Sequence, residues 1–241
     1  MRLDKLIGSV TDLSRAMAKR AIREGAVTVD GAVVRDPAAD VGAETAVTLD
    51  GRPLRAVGPR YFMLHKPAGV VCAARDRLHQ TVLDLLPDED NVETLHVAGR
   101  LDIDTTGLVL LTDDGQWSHR VTSPRHRTEK HYLVTTAEPI DASVAGQFER
   151  GLFLHNEKRR LLPARLEQLA PCRARVIIAE GKYHQVKRMF AAVGNAVLEL
   201  HRERIGAVAL DPTLPEGGYR PLTAMEVSAL ASAPESAAEE A

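Results

Sequence analysis

Residues 51–59, Gly-Arg-Pro-Leu-Arg-Ala-Val-Gly-Pro, interrupt the regular hydrophobic pattern on either side of them. Glycine and proline disfavour the interior of helices and strands, so this stretch predicts a linker between domains. The chain should therefore form two unequal units, a small domain of residues 1–50 and a larger domain of residues 60–231 with a core of its own. Residues 232–241 are small and acidic, which predicts a disordered tail.

The N-terminal unit is predicted to combine two helices with short strands. Apolar residues at helical spacing indicate a first helix near residues 3–7, and Ser14 is placed to cap a second helix that ends at Gly25. The pattern after that helix predicts antiparallel strands next to Asp-Gly turns, at residues 27–29, 33–34 and 47–49. The unit is therefore an αα-hairpin followed by strands.

The second helix is strongly basic, and its apolar contacts are expected from Ala16, Met17, Ala21 and Ile22. A basic helix face is either simply solvated or a binding surface for phosphate groups. The charge pattern alone leaves both interpretations open. The residues concerned are Arg15, Lys19, Arg20 and Arg23.

The larger domain is predicted to be α+β, with a mainly antiparallel mixed sheet. Short apolar or alternating runs bounded by Gly, Pro and Asp predict strands at residues 61–64, 69–72, 108–111, 132–135 and 175–178. Helical patterns are fewer and lie at residues 81–86, 143–150 and 184–193.

Composition excludes several classes of protein. With 31 Lys and Arg against 33 Asp and Glu, the net charge is −2, so a nucleic acid must be bound by a local basic surface. The lone Cys72 and Cys172 provide no metal-binding pair and no disulfide framework, which favours a reducing, cytoplasmic setting. The sequence has no apparent export signal or membrane span. It also lacks GxGxxG, P-loop and HExxH motifs, so we expect a reaction without cofactor or metal.

The segment from His96 to Gly107 carries two carboxylates, Asp102 and Asp104, at the entry to an apolar strand. The simplest interpretation is that both hydrogen-bond a turn. A calcium site resembling an EF-hand is a second interpretation, but the incoming segment is not helical and position twelve is Asp113 rather than Glu. The third interpretation makes one carboxylate a nucleophile, with Arg100 or another cation beside it.

Three basic segments of the larger domain could contact an acidic partner, at residues 117–132, 180–190 and 200–206. The first is rich in Arg, Lys and His, the second places a Gly turn before an amphipathic helix, and the third alternates cations with Glu203. A solvated loop would explain the first segment equally well. The candidate RNA-binding residues in these segments are Arg125, Lys130, His184, Arg188, Arg202 and Arg204.

Together these motifs resemble the pseudouridine synthases, and the chain is similar to their RsuA-type branch, which modifies small-subunit ribosomal RNA. Residues 1–48 resemble the S4 domain, a small RNA-binding module, through Ser14-Arg15, Gly25 and the strand-turn-strand at 27–34. The catalytic resemblance covers residues 60–222 and rests on residues 61–69, 99–108, 112–115, 130–132, 180–189 and 200–206.

The resemblance implies the isomerisation of uridine in RNA from an N1 to a C5 glycosidic link, without a cofactor. The essential aspartate of the family falls on Asp102, its active-site tyrosine on Tyr132, and the basic partner of the aspartate on Lys187. Attack by Asp102 at C6 of the base and attack at C1′ of the ribose both remain open. The uridine must flip out of any stack, and Arg100 is expected to fill its place or bind phosphate.

The implied partner is ribosomal RNA, either free or in a small-subunit assembly intermediate, and the protein is expected to be a monomer. A non-catalytic RNA-binding or assembly protein is the main alternative. Retention of Asp102, Tyr132 and Lys187 favours the enzyme, because a carboxylate in an RNA-facing cleft repels phosphate. An S4-bearing methyltransferase is disfavoured, since no Gly-rich nucleotide loop follows a strand.

Overall fold

The computed structural model describes residues 1–42, 45–54 and 58–232. The chain divides into two compact units, Met1–Pro59 and Arg60–Ala241. Of the predicted acidic tail, only Ser232 is described, at the end of the last helix, and residues 233–241 lie outside the described part. No helix of the described residues is long and apolar enough to cross a membrane.

The first unit packs two helices against a four-stranded antiparallel sheet with strand order β2-β1-β3-β4. Its elements are α1 Leu3–Val10, α2 Arg15–Glu24, β1 Val27–Val29, β2 Ala32–Val33, β3 Val47–Leu49 and β4 Arg52–Leu54.

The local sequence explains the boundaries of α2. The Ser14 side chain accepts a hydrogen bond from the backbone N–H of Met17, and Gly25 ends the helix in the left-handed conformation at φ 86°. The predicted helix from Ser14 to Gly25 is therefore confirmed. Its buried residues are Ala18 and Ile22, whereas Met17, expected to pack, is 54% exposed. Positions four apart share one helix face, and Met17 falls outside it.

The predicted linker is wrong for residues 52–54, which form β4. Asp50 and Gly51 both have positive φ, 50° and 75°, as the tight turn of a hairpin requires. This turn returns the chain antiparallel to β3. Pro53 is tolerated because β4 is an edge strand. Residues 55–57 of the predicted linker lie outside the described residues.

The second unit is built on a nine-stranded mixed sheet with helices packed against it, which confirms the predicted α+β class. The main strand order is β13-β5-β7-β11-β8-β10-β9, while β6 pairs with β7 and β12 with β11. All pairings are antiparallel except that of β7 with β11. The elements are β5 Tyr61–Lys66, β6 His96–Ala98, β7 Thr106–Thr112, α3 Gly115–Thr122, β8 Lys130–Thr136, α4 Ser143–Glu149, β9 Arg165–Ala170, β10 Arg173–Ile178, α5 Gln185–Ala192, β11 Val197–Ile205, β12 Val208–Ala209, β13 Tyr219–Pro221 and α6 Ala224–Ala231.

The central strand β7 packs into a core on each face of the sheet. Leu108 and Leu110 lie in one cluster with Trp117, whereas Val109 and Leu111 lie in the other. Side chains alternate between the two faces of a strand, so a continuous apolar run is what burial on both faces requires. The run at residues 108–111 thus fixes β7 in the middle of the molecule.

Several predicted elements differ from the structure. Residues 69–72 form only an isolated bridge between Val71 and Thr81, and the predicted helix at 81–86 is reduced to one 3-10 turn, Leu83–Leu85. The segment from residue 117 that could have been a solvated loop lies instead within α3 as far as Thr122. The Asp114 carboxylate caps this helix, and the buried Trp117 side chain anchors it. The longest strand, β11, was missed because its cations interrupt the apolar pattern.

Candidate functional site

A cleft of about 1130 Å³ opens in the second unit and contains most of the predicted chemistry. Two loops and the start of β8 line it, together with parts of residues 71–76, β6, the end of α3 and β11. The Asp102 loop, residues 99–105, precedes β7, and the Tyr183 loop, residues 180–184, precedes α5. Asp102, Tyr132 and Lys187 are far apart in sequence, yet all three line this cleft.

The guanidinium of Arg202, on β11, supports the Asp102 loop through hydrogen bonds to its backbone. Arg202 is only 2% exposed, and it donates hydrogen bonds to the carbonyl oxygens of Leu108 (2.8 Å), Gly99 (2.8 Å) and Arg100 (3.3 Å). Arg202 also lines the cleft, and its contact with RNA stays a prediction, but these three hydrogen bonds support the loop. The alternation of β11 turns Arg202 inward on the same face as buried Leu200, which accounts for its burial.

Lys66 at the end of β5 supports the same loop from another side. Its ammonium donates to the carbonyl oxygens of Thr105 (2.7 Å), Pro67 (2.9 Å) and Ile103 (3.2 Å), and the side chain is fully buried. Burial lowers the pKa of Lys66, and nearby acidic groups oppose that shift. Lys66 has no predicted role of its own, although the run Lys66-Pro67-Ala68-Gly69 at the end of a strand was a usable signal.

Gly107 lets β7 approach β11 closely at the base of this loop. Its φ is 106°, and a Cβ there would come within 2.3 Å of the Arg202 carbonyl oxygen. Only glycine fits such an approach without displacing backbone. The Asp102 loop is therefore a rigid turn set by Lys66, Gly107 and Arg202.

Two basic side chains from the start of α5 face the Asp102 carboxylate. The Lys187 ammonium lies 3.3 Å from Oδ2, and the His184 imidazole Nε2 lies 3.4 Å from Oδ1. Asp102 is about one quarter exposed, so a ligand entering the cleft can reach it. The ion pair expected between Lys187 and Asp102 is present. His184, predicted to contact RNA, also faces this carboxylate.

Lys187 is shared with a second carboxylate, that of Asp104. The ammonium donates to Asp104 Oδ1 at 2.5 Å. This hydrogen bond lowers the pKa of Asp104, although partial burial opposes it. Burial lowers the pKa of Lys187, but the hydrogen bond to Asp104 and the charges of both carboxylates outweigh it, so the net shift is upward. Lys187 therefore remains charged at the head of α5.

Lys130 and Tyr132 lie on the same face of β8 and line the cleft opposite the two loops. Tyr132 is 8% exposed and packs into the core. Burial lowers the pKa of Lys130 to about 8, and the nearby positive charge of Arg202 adds to the shift. Among the described residues the Lys130 ammonium has no hydrogen-bond or ion-pair partner.

The remaining predicted contacts of the second unit are distributed unevenly. Arg100 is exposed and lines the cleft, whereas Arg125, Arg188 and Arg204 are not among its described lining residues. Arg188 donates to Glu157 (2.8 Å) and to the His155 carbonyl oxygen (2.7 Å), so it joins two loops instead of facing the cleft. Its role in RNA binding stays a prediction.

In the first unit, α2 presents Arg15, Arg20 and Arg23 as exposed side chains. Arg20 forms a surface ion pair with Glu24 (2.8 Å), and Lys19 lies 3.8 Å from buried Asp4. The exposed Arg20–Glu24 pair contributes little to stability and releases its cation readily. The helix thus keeps the basic face that its sequence predicts.

Comparisons with known proteins agree with this arrangement. Residues 60–192 match the family described as RNA pseudouridylate synthase, and residues 1–47 match the S4 domain. The chain is 58% identical over 231 residues to the ribosomal small subunit pseudouridine synthase A of Escherichia coli (strain K12), covering 95% of this chain and 100% of that protein.

Two further matches cover almost the whole chain. The protein of the same name from Vibrio cholerae is 52% identical over 230 residues, covering 95% of this chain and 99% of that protein. A crystal structure described as a pseudouridylate synthase is 47% identical with a TM-score of 0.69, and the match covers 95% of this chain and 99% of that one.

Proposed function

The chain belongs to the RNA pseudouridylate synthase family and is an RNA pseudouridine synthase, and from that premise we propose that it isomerises one specific uridine of small-subunit (16S) ribosomal RNA. Relatives named for the ribosomal small subunit match 95% of the chain, both units included, which supports this substrate. The S4 domain supplies an RNA-binding module beside the catalytic one.

The reaction moves the ribose from one atom of the base to another. The N1–C1′ bond breaks, a C5–C1′ bond forms, C5 loses its proton and N1 gains one, so atoms and charge balance without an oxidant or a second substrate. A nucleophile that bonds temporarily to the base or to the sugar allows the base to turn between these steps. The site therefore needs a nucleophile, a proton acceptor and a closed space.

The position of Asp102 is the observation that carries the proposal. Its carboxylate stands in the cleft between Lys187 and His184, on a loop that Lys66 and Arg202 hold rigid. Fixed charges of this kind act at full strength on a reacting group because they need no reorganisation. Asp102 is accordingly the proposed nucleophile, attacking C6 of the base or C1′ of the ribose, and Lys187 its electrostatic partner.

Tyr132 and Lys130 are proposed to act on the base from β8. The Tyr132 ring packs against the uracil and assists removal of the C5 proton. The partly desolvated ammonium of Lys130 binds a phosphate or a uracil oxygen, since a cation without a partner in a cleft gains most from an incoming anion or acceptor.

The target uridine has to leave its stack to reach Asp102, because a base within a helix is closed to attack at C6 and C1′. A cleft of about 1130 Å³ has room for a nucleotide. Exposed Arg100 at its edge is placed to fill the vacated position or to bind the adjoining phosphate. Base flipping is therefore part of the proposal.

We also propose that one copy of the chain acts on an assembly intermediate of the small subunit. The proposed catalytic residues Asp102, Tyr132 and Lys187 line one and the same cleft, which supports a site formed by a single copy. A target uridine is easiest to flip before the surrounding RNA is fully packed, which favours an assembling particle as the substrate.

Tritium release from small-subunit RNA labelled at uridine C5 tests the proposal, because relinking the base at C5 expels that hydrogen. The wild-type protein should release tritium, and Asp102→Asn should not, while binding the RNA equally well or slightly more tightly. Asp104→Asn is the matched control and should retain much more activity. Binding without tritium release by the wild type would favour the non-catalytic alternative, and appreciable release by Asp102→Asn would overturn the assignment of the nucleophile.

A further inference from the structure

Tyr183 presents an aromatic ring to solvent at the mouth of the cleft. Its side chain is 76% exposed, and the residue belongs to the lining of the cleft that holds Asp102. One face stacks on the His184 imidazole, with ring centroids 3.7 Å apart and planes inclined by 20°. The exposure of the side chain leaves the opposite face available to another planar group.

The loop that presents this ring is anchored along its length. Arg188 donates to the Tyr183 carbonyl oxygen at 3.1 Å, and the Lys182 backbone N–H donates to Gln185 Oε1 at 2.9 Å. The Lys182 ammonium also binds Glu157 at 2.9 Å. These contacts fix the backbone on both sides of the ring. Stacking on a ring already held in place costs little conformational entropy.

His184 connects the ring to the proposed nucleophile. It adopts the left-handed backbone conformation, at φ 47°, immediately before α5. A residue other than glycine rarely takes this conformation unless its surroundings require it. Here it accompanies an imidazole that touches Asp102 at 3.4 Å while stacking on Tyr183. The Tyr183 ring, the His184 imidazole and the Asp102 carboxylate therefore contact one another in that order, and the free face of Tyr183 is at the outer end.

We propose that Tyr183 is a stacking platform for the unpaired base adjacent to the target uridine in RNA. Flipping a uridine removes a stacking partner from its neighbour, and an exposed aromatic ring at the mouth of the cleft replaces that partner. Such stacking accepts any base, because every base has a π-face. The platform thus contributes to RNA affinity and to the position of the flanking base, while other residues determine which RNA sequence is bound. This inference rests on the proposed function only in assuming that a uridine enters the cleft.

The test measures binding, so it is independent of turnover. The probe is a short single-stranded RNA with one uridine flanked by adenosines, and its partner probe has abasic riboses on both sides of the uridine. Dissociation constants are measured by fluorescence anisotropy across a range of salt concentrations for full-length wild type, Tyr183→Phe, Tyr183→Ala and the control Leu169→Ala, which truncates another exposed apolar side chain.

Tyr183→Ala should bind the adenosine-flanked probe about tenfold more weakly, as expected for loss of one stacked base. Its salt slope should equal that of the wild type because the cations that bind phosphate are unchanged. Tyr183→Phe and Leu169→Ala should bind like the wild type, and on the abasic probe Tyr183→Ala should differ little from it.

Wild-type affinity of Tyr183→Ala for both probes would overturn the platform. An equal loss on both probes would also overturn it, since the ring would then act on something other than the flanking base. If the binding results are as expected but the wild type releases no tritium, the proposed function is wrong and the stacking platform stands.

Discussion

Lys187 holds two carboxylates with one ammonium, and its closer partner is Asp104 rather than the proposed nucleophile. The distances are 2.5 Å to Asp104 and 3.3 Å to Asp102. The Asp104 side chain is 66% exposed, so water can replace its contact with Lys187, whereas the Asp102 side chain is only 27% exposed. We interpret Asp104 as a residue that orients the ammonium, leaving its charge directed toward Asp102.

Lys187→Met should lower the single-turnover rate by about 100-fold or more, because a preorganised charge at a reacting centre is usually worth several kcal/mol. Lys187→Arg keeps the charge in another shape and should retain part of the rate. RNA affinity serves as the control and should change much less than the rate. If Lys187→Met reacted at the wild-type rate, the electrostatic role assigned to this ion pair would be wrong.

Lys130 gives RNA binding a specific pH dependence. Because burial lowers the pKa of its ammonium to about 8, the free protein loses this charge as the pH rises through that value. Between pH 7 and pH 9 the wild type should therefore lose a few-fold in RNA affinity relative to Lys130→Arg, whose guanidinium stays charged. Anisotropy titrations of both proteins provide the measurement. Parallel pH profiles would show that Lys130 does not contact the RNA.

The elements of the sheet act together to shape the Asp102 loop. Lys66 reaches it from the end of β5 and Arg202 from β11, and both donate to backbone carbonyls of the loop. Loops that carry reactive groups are positioned in this way by a rigid scaffold. The chemistry of the site thus depends on buried cations in neighbouring strands.

Lys66→Met should lower the free energy of unfolding, because it removes the ammonium that donates to the carbonyls of Pro67 and Thr105 and leaves the Ile103 carbonyl with the Gly69 N–H alone. The expected loss is about 1–3 kcal/mol, the usual cost of buried groups left without a partner. Lys130→Met is the matched control, since the Lys130 ammonium makes no such bonds in the described structure. Denaturant unfolding at neutral pH compares the two variants. Equal stability of Lys66→Met and wild type would refute the supporting role.

Local sequence signals predicted the elements with clear caps or continuous apolar runs, but not the elements whose pattern is interrupted by polar residues, nor the contacts between distant segments. Helix α2 follows from its cap and its terminal glycine, and β7 from its apolar run. In contrast, β11 mixes cations with aliphatic residues because Arg202 points into the protein, a fact that periodicity alone cannot reveal. The family motifs located Asp102 and Lys187, and the contact of His184 with Asp102 required the fold.

At the scale of the whole molecule, the chain has two units, each with a core of its own, and the basic face of α2 lies in a different unit from the cleft. The first unit packs around Leu3, Leu6, Ile7 and Ile22, and the cleft is lined only by residues of the second. The basic face of α2 can thus add phosphate contacts without changing the reacting groups. RNA affinity and its salt dependence can therefore report on the first unit, and the single-turnover rate on the second.

Deleting residues 1–59 should weaken RNA binding and flatten its dependence on salt. For each phosphate that Arg15, Lys19, Arg20 or Arg23 binds in the full chain, the deletion should reduce the slope of log K against log salt by about 0.7 to 0.9. The single-turnover rate at saturating RNA should change far less, once circular dichroism has shown that the second unit remains folded. An unchanged salt slope would mean that α2 has only a solvated face.

Mapping of pseudouridine across total RNA most directly tests the central claim, that this chain isomerises a uridine of small-subunit ribosomal RNA through Asp102. The comparison uses cells lacking the protein, complemented with the wild type or with Asp102→Asn at equal protein levels. We predict that one pseudouridine in the small-subunit RNA disappears without the protein, returns with the wild type and stays absent with Asp102→Asn. An unchanged map in the deletion strain, or restoration by Asp102→Asn, would contradict the account.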